Sequence, residues 1–217
     1  MTISASVVKE LREKTSAGIM DCKKALQEVD GNFEKAVEWL RVKGLSKAAK
    51  KAGRIAAEGT IASYIHAGGR IGVLVEINSE TDFVARNEEF QKFVNDIAMH
   101  IAAMGPAYVR EEDIPEKVRD KEREVLKNKA LEEGKKADFL DKILDGQIKK
   151  WASETCLMGQ KFVKNPDLTV EKYLQEVIAL IGENIVIRRF TRFELGEGIE
   201  KKQENFAQEV AAQVKKG

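Results

Sequence analysis

Apolar residues recur at helical spacing through the N-terminal part of the chain. Ser4 or Ser6 can cap a first helix carrying Val7, Val8 and Leu11, which stops near Thr15-Ser16-Ala17-Gly18. A second helix from about Gly18 sets Met20, Cys22, Ala25, Leu26 and Val29 on one stripe. Asp30-Gly31-Asn32 is a turn that also caps the next helix. That third helix runs from about Phe33 to Val42 and carries Phe33, Ala36, Val37 and Leu40. Short amphipathic helices joined by tight turns predict a small three-helix bundle, whose core is too small to make it very stable alone. Lys43, Lys47, Lys50, Lys51 and Arg54 then alternate with Ala48, Ala49 and Ala52, without an acidic residue. Ala and Lys favour helix, so this stretch predicts a fourth helix or helical linker with one basic face. That face is either simply solvated or a contact for an acidic partner patch or RNA phosphates.

From Gly59 the period changes to two. Thr60 to Ala67 alternates like a strand, Gly68-Gly69 turns the chain, and Ile71-Gly72-Val73-Leu74-Val75-Glu76-Ile77 is a buried-strand run. The junction Asn78-Ser79-Glu80-Thr81-Asp82-Phe83-Val84-Ala85-Arg86-Asn87 leads into a helical pattern ending at Gly105-Pro106. Its stripe holds Phe83, Val84, Phe90, Phe93, Val94, Ile97, Ala98, Ile101 and Ala102, and at 1.5 Å per residue it would span roughly 33 Å. Residues 110–136 are dense in charge of both signs and read as exposed helix. Phe139, Leu140, Ile143, Leu144, Ile148 and Trp151 form an amphipathic segment expected to dock on the core. Gly159 to Pro166 reads as a loop. Thr169 caps a helix carrying Val170, Tyr173, Leu174, Val177, Ile178 and Ile181, Gly182-Glu183-Asn184 turns, and Ile185 to Leu195 is a third strand by β-propensity. A last helix is expected over about Asn205 to Val214. The fold class is therefore α+β: an N-terminal helical bundle, a linker helix, and a three-stranded antiparallel sheet packed with helices. The expected divisions are 1–55 for the bundle and basic linker, 56–200 for the core and 201–217 for a C-terminal helical module.

Composition narrows the function classes. Of 217 residues 43% are hydrophobic and 34% charged, which suits a helix-rich globular chain, and a formal net charge of +1 argues against coating nucleic acid or a membrane surface. Cys22 and Cys156 are too few and too far apart for a disulfide framework or a metal spacing, and read as two small packed thiols in a reducing compartment. The N-terminus lacks a signal-peptide pattern, and no apolar run approaches the ~20 residues that span a bilayer, so a cytoplasmic protein is expected. The two histidines, His66 and His100, lie far apart and give no metal motif. There is no Gly-Lys-Ser/Thr phosphate loop and no Gly-x-Ser-x-Gly elbow. No catalytic set and no cofactor are expected. Thr81-Asp82-Phe83 stays open between two readings. Asp82 can complement a helix dipole for about 0.3–1 kcal/mol with Phe83 in the core, or the pair can be an apolar wedge beside an anion, shown to a partner.

Several ordered motifs resemble the elongation factor Ts family, the guanine-nucleotide exchange factors of elongation factor Tu. They are Val8-Lys9-Glu10-Leu11-Arg12, Thr15-Ser16-Ala17-Gly18-Ile19-Met20-Asp21-Cys22-Lys23-Lys24-Ala25-Leu26, Lys50-Lys51-Ala52-Gly53-Arg54, Thr81-Asp82-Phe83-Val84-Ala85-Arg86, Gly182-Glu183-Asn184-Ile185 and Phe193 to Lys201. The resemblance implies that the N-terminal bundle, with Met20, Lys23, Lys24 and Lys51, grips the GTPase. It implies that Asp82 and Phe83, within Thr81 to Ala85, intrude beside the partner's Mg²⁺ site, with no metal-ligand role for Asp82. His100, if outward-facing, and Phe206 in the C-terminal module are further contacts it implies. Long members of the family carry two related core halves and a coiled-coil insertion. This chain has one strand–strand–helix unit, which resembles the short form and implies a homodimer through the core sheet. Two other classes compete. The bundle is similar to ubiquitin-associated domains, which would use Ala17-Gly18-Ile19-Met20 in an adaptor, and Lys43 to Arg54 could bind RNA in a translation-associated protein.

Overall fold

The N-terminal helices are α1 (Ala5–Thr15), α2 (Ile19–Glu28) and α3 (Phe33–Ala49) in the computed structural model, which describes residues 3–15, 17–135 and 137–199. Their apolar stripes meet as read: Val8, Leu11, Cys22, Ala25, Leu26, Ala36 and Leu40 form one buried cluster. Asn32 caps α3 by accepting from the Lys35 N–H at 2.9 Å.

The basic stretch is not a separate fourth helix. α3 runs through Gly44 to Ala49, and its C-terminal half packs on α8 (Val170–Ile181), where Ala48 enters the main core. Gly44 makes the approach possible, since a Cβ there would lie 3.3 Å from the Ala179 Cβ. The bundle and the core thus share one long helix.

The core sheet consists of β1 (Glu58–His66), β2 (Ile71–Ser79) and β5 (Ile185–Glu194), antiparallel in the order β1-β2-β5. The two-residue period of β2 sends Val73, Val75 and Ile77 inward. They meet Phe90, Phe93, Val94, Ile97 and Ile101 of α5 (Glu88–Met104), together with Leu174, Val177 and Ile178 of α8. The predicted continuous helix from 83 is broken in two. A single turn, α4 (Asp82–Ala85), precedes α5, and Asn87 has extended backbone between them. Its side chain accepts from the Glu89 and Phe90 N–H groups at 2.9 and 3.3 Å, a cap that starts a new helix.

α6 (Glu116–Glu132) and α7 (Ala137–Thr155) pack together as a helical hairpin. The apolar face of α7 does not dock on the main core as expected. Leu140 and Leu144 pack with Leu126 and Ala130 of α6, and Ala152 and Trp151 pack with Tyr108 and Ile114. Gly159 to Pro166, read as a loop, instead contributes to a small antiparallel ladder, β3 (Lys161–Phe162) with β4 (Asn165–Thr169). The helix expected at Asn205 to Val214 lies outside the described residues. Among the described residues no helix is long and apolar enough to cross a membrane.

Candidate functional site

The strand-to-helix junction is built from opposed constraints. At its entry Ser79 is fully buried, and its hydroxyl donates to the Thr81 carbonyl at 2.9 Å. Thr81 then donates twice to one carboxylate: its N–H to Glu183 Oε2 at 3.0 Å and its hydroxyl to Glu183 Oε1 at 2.8 Å. In the other direction Glu80 Oε1 accepts the Asn184 N–H at 2.6 Å, while Oε2 faces Arg54 Nη1 at 3.5 Å. Val84 is the buried anchor of α4. At its far end the Asn87 N–H donates to the Val84 carbonyl, and Gln91 Nε2 to the Ala85 carbonyl. A four-residue helix would fray alone. This one is held at its start by Glu183, from a distant part of the chain, and at its end by Asn87 and Gln91, which follow it directly.

On that braced turn Phe83 points outward and is 79% exposed. The helical stripe drawn from the sequence placed it with Val84 and Phe90. The break at Asn87 removes it from that stripe, so the core reading of Phe83 does not hold. Beside it, exposed Asp82 pairs with Arg86 Nη2 at 3.2 Å, one helical turn away. An exposed pair of this spacing is worth about 0.3–0.5 kcal/mol, so Asp82 can exchange this partner for another at small cost. Burying a Phe side chain contributes roughly 1.5–3 kcal/mol, which the fold forgoes at this position.

The remaining predicted contacts divide. Met20, 73% exposed, stands at the start of α2 beside exposed Ile19, and Lys23 and Lys24 are exposed on the same helix. Lys51 Nζ is engaged internally, donating to the Gly182 carbonyl at the end of α8. His100 does not face outward. It is wholly buried, its Nε2 lies 3.0 Å from Gln160 Oε1, and its Nδ1 accepts the Val163 N–H at 3.2 Å. It belongs on the apolar stripe of α5, which leaves it no surface to offer. Phe206 lies outside the described residues.

The basic run is spent mostly inside the molecule. Lys43 and Lys47 reach Asp21 at 3.3 and 2.7 Å, which holds the Asp21 carboxyl below its ordinary range, chiefly through the Lys47 hydrogen bond. With Lys51 and Arg54 also engaged, the run ties the bundle to the core and is a poor track for phosphates. Cys156 is buried in contact with apolar neighbours, and burial aided by the Glu111 and Asp113 charges pushes its thiol up to about 11, so it is not a nucleophile at neutral pH. Among the described residues no group of three or more His, Cys, Asp and Glu side chains is placed to hold a metal ion. Glu183, Asn184 and Arg54 do not read from the sequence as parts of the junction, and Glu80, which lies within it, has no partner that the sequence announces. Glu183 and Thr81 are 102 positions apart, and no local pattern announces such a pairing.

The fold defines an α+β protein in which a helical bundle is joined to a three-stranded antiparallel sheet, with an exposed aromatic ring and a neighbouring carboxylate on a braced single turn. Comparison with known sequences gives the family. The profile described as Elongation factor TS matches residues 3–197. Proteins named Elongation factor Ts are 62% identical to the chain in Carboxydothermus hydrogenoformans, over 98% of both chains, and 62% in Alkaliphilus oremlandii, over 99% of both. The one from Geobacter sulfurreducens is 59% identical over 98% of both. The chain belongs to the elongation factor Ts family of translation elongation factors.

Proposed function

We propose that the chain is a guanine-nucleotide exchange factor acting on elongation factor Tu in the cytoplasm, and that it works by contact, without covalent chemistry and without a cofactor. The observation that carries this reading is Phe83: a large apolar side chain left exposed on a turn that is otherwise fully restrained. An exchange factor binds its nucleotide-free partner more tightly than the nucleotide-bound one, and linkage then weakens nucleotide binding by the same factor. Weakening by about 10⁴-fold requires roughly 5.5 kcal/mol of differential binding. Phe83 can supply about 1.5–3 kcal/mol of this, so the bundle must supply part of the grip. Met20, Lys23 and Lys24 form its exposed contact face. Mg²⁺ on a GTPase bridges phosphate oxygens and has few protein ligands, which makes its surroundings sensitive to a wedge and a competing carboxylate. Asp82 draws partner groups out of place there, and does not itself bind the metal.

The chain functions as a homodimer through the outer face of its sheet, with 1–55 as gripping module, 56–200 as wedge-bearing core and 201–217, including Phe206, as a further contact. No nucleic acid or membrane takes part.

Labelled-GDP release from elongation factor Tu tests the reading. Wild type accelerates release. A folded Asp82→Ala/Phe83→Ala variant still binds the partner but releases GDP roughly ten- to a hundredfold more slowly, as loss of about 1.5–3 kcal/mol demands. Release by the variant at the wild-type rate would reduce the junction to a structural feature.

A further inference from the structure

Residues 182–184, the turn that ends α8, gather bonds from two otherwise separate parts of the molecule. From the end of α3, Lys51 donates to the Gly182 carbonyl, and the Arg54 carbonyl accepts from Asn184 Nδ2 at 2.7 Å. From the junction, Glu80 accepts the Asn184 N–H, and Glu183 takes both Thr81 donors. Two carboxylates therefore cross between the same segments in opposite directions, Glu80 toward the turn and Glu183 toward the junction. Asn184 is buried and Glu183 half-buried, so neither set of bonds lies open to solvent.

The mechanical consequence comes from the size of α4. A wedge pushed into a partner is pushed back with equal force, and α4 has only Val84 as its buried anchor. Its N-terminal end is fixed by Thr81, the residue that Glu183 holds through two charge-assisted hydrogen bonds. The same turn is bonded to the end of α3, whose other half belongs to the bundle. Resting on the exchange reading above, we infer that Glu183 is a positioning residue: it braces the Asp82–Phe83 tip against the end of α3, so that grip by the bundle is delivered as displacement at the tip. Glu183 needs no contact with the partner for this.

The test is stopped-flow release of fluorescent GDP from elongation factor Tu, measured against the concentration of this protein. Loss of folded protein reduces only the active fraction, so it raises the half-saturating total concentration and leaves the plateau rate alone. Loss of the brace lets the bundle bind as before while the tip yields, so it lowers the plateau. Glu183→Ala is expected to cut the plateau about tenfold or more with little change in half-saturation. Thr81→Val keeps the N–H bond and loses the hydroxyl bond, so its plateau is intermediate, and Thr81→Ser recovers most of the loss. The Thr81→Val/Glu183→Ala double variant falls no further than Glu183→Ala, because both changes remove the same contact. Should Glu183→Ala not fold, the Thr81→Val and Thr81→Ser pair carries the same comparison. A wild-type plateau in folded Glu183→Ala, or in Thr81→Val, overturns the brace and leaves the exchange reading standing. Absence of any acceleration by wild type overturns the exchange reading itself, and the brace with it.

Discussion

His100 sits inside the main core with both ring nitrogens occupied. Nδ1 accepts the Val163 N–H, so Nε2 carries the proton and donates to Gln160 Oε1. A second proton on Nδ1 would face the Val163 donor in a buried site. Burial accordingly pushes His100 below its ordinary 6.5, and the Gln160 contact only partly opposes this. The unfolded chain takes up this proton as pH falls through about 6.5 while the folded chain refuses it, so this group lowers stability on the acid side of 6.5 and has no effect well above it. Between pH 7.5 and 5.5 the loss is at most about 1.4 kcal/mol, the limit set by protonation of the unfolded chain alone. Urea unfolding at the two pH values, compared between wild type and His100→Gln, measures it: wild type should lose more than the variant. Equal losses would show that the imidazole titrates alike in both states. Phe83 presents the opposite case at the same scale, an apolar residue on a helical stripe that ends up outside. Periodicity placed Phe83 on the wrong side because it treated 83–104 as a single helix, whereas the outward face of His100 was implied only by the family resemblance and is ruled out by its burial within α5.

That error belongs to the elements. The existence and type of nearly every element in the described residues could be read from the chain, because long stripes such as Phe90 to Ala102 and the alternation of Thr60 to Ala67 are strong signals. Breaks and continuations were harder to read. Asn87 followed by Glu88-Glu89-Phe90 is a helix start, with a capping side chain and an acidic first turn, but the apolar run before it concealed the boundary. The reverse occurs past Val42, where the third helix is expected to stop but α3 continues, and the residue that matters there is Gly44. It is an interior packing position, where α3 lies too close to α8 for a larger side chain. Propensity and packing therefore oppose each other there. Gly44→Ala gains about 1 kcal/mol of helix propensity, offset by a 3.3 Å contact with Ala179, and should leave stability nearly unchanged. Gly44→Leu gains the same propensity but must separate the two helices, at a cost of about 1–3 kcal/mol for overpacking. Urea midpoints of the two variants decide it, and a Gly44→Leu protein more stable than Gly44→Ala would mean that the α3–α8 contact is slack. The carboxylate brace was illegible for a different reason: its partners come from the ends of α3, β2 and α8, and only the assembled fold brings them together.

At the scale of the whole molecule, the sheet has one face that none of the described residues covers. Its inner side is packed by α5, but on the other side Ile61, Ile65, Leu74 and Phe193 are all exposed. The register brings them into one patch: Gly72 lies between Ile65 and Phe193, with no side chain to separate them, and Leu74 lies between Ser63 and Thr191. An antiparallel sheet with one solvated face ordinarily alternates to polar residues there, and a contiguous apolar patch marks an interaction surface. Charge frames this one on a single side, where Arg188 and Arg189 both reach Glu76 at 2.9 and 2.7 Å. A second copy of the chain is the occupant that fits the exchange reading, because one chain carries a single strand–strand–helix unit. A two-fold contact would set like patches together, and Leu74 on the central strand would lie near the axis. Leu74→Glu would then bring two carboxylates together without disturbing the inner core. Light scattering should give wild type about twice the 24.3 kDa chain mass and the variant one chain mass, with the fold intact by circular dichroism. GDP release by the monomeric variant should be slowed, as the proposed two-chain assembly requires. A wild-type protein of 24.3 kDa at working concentration, with full exchange activity, would mean that one chain suffices and that the open face of the sheet serves something other than a second copy.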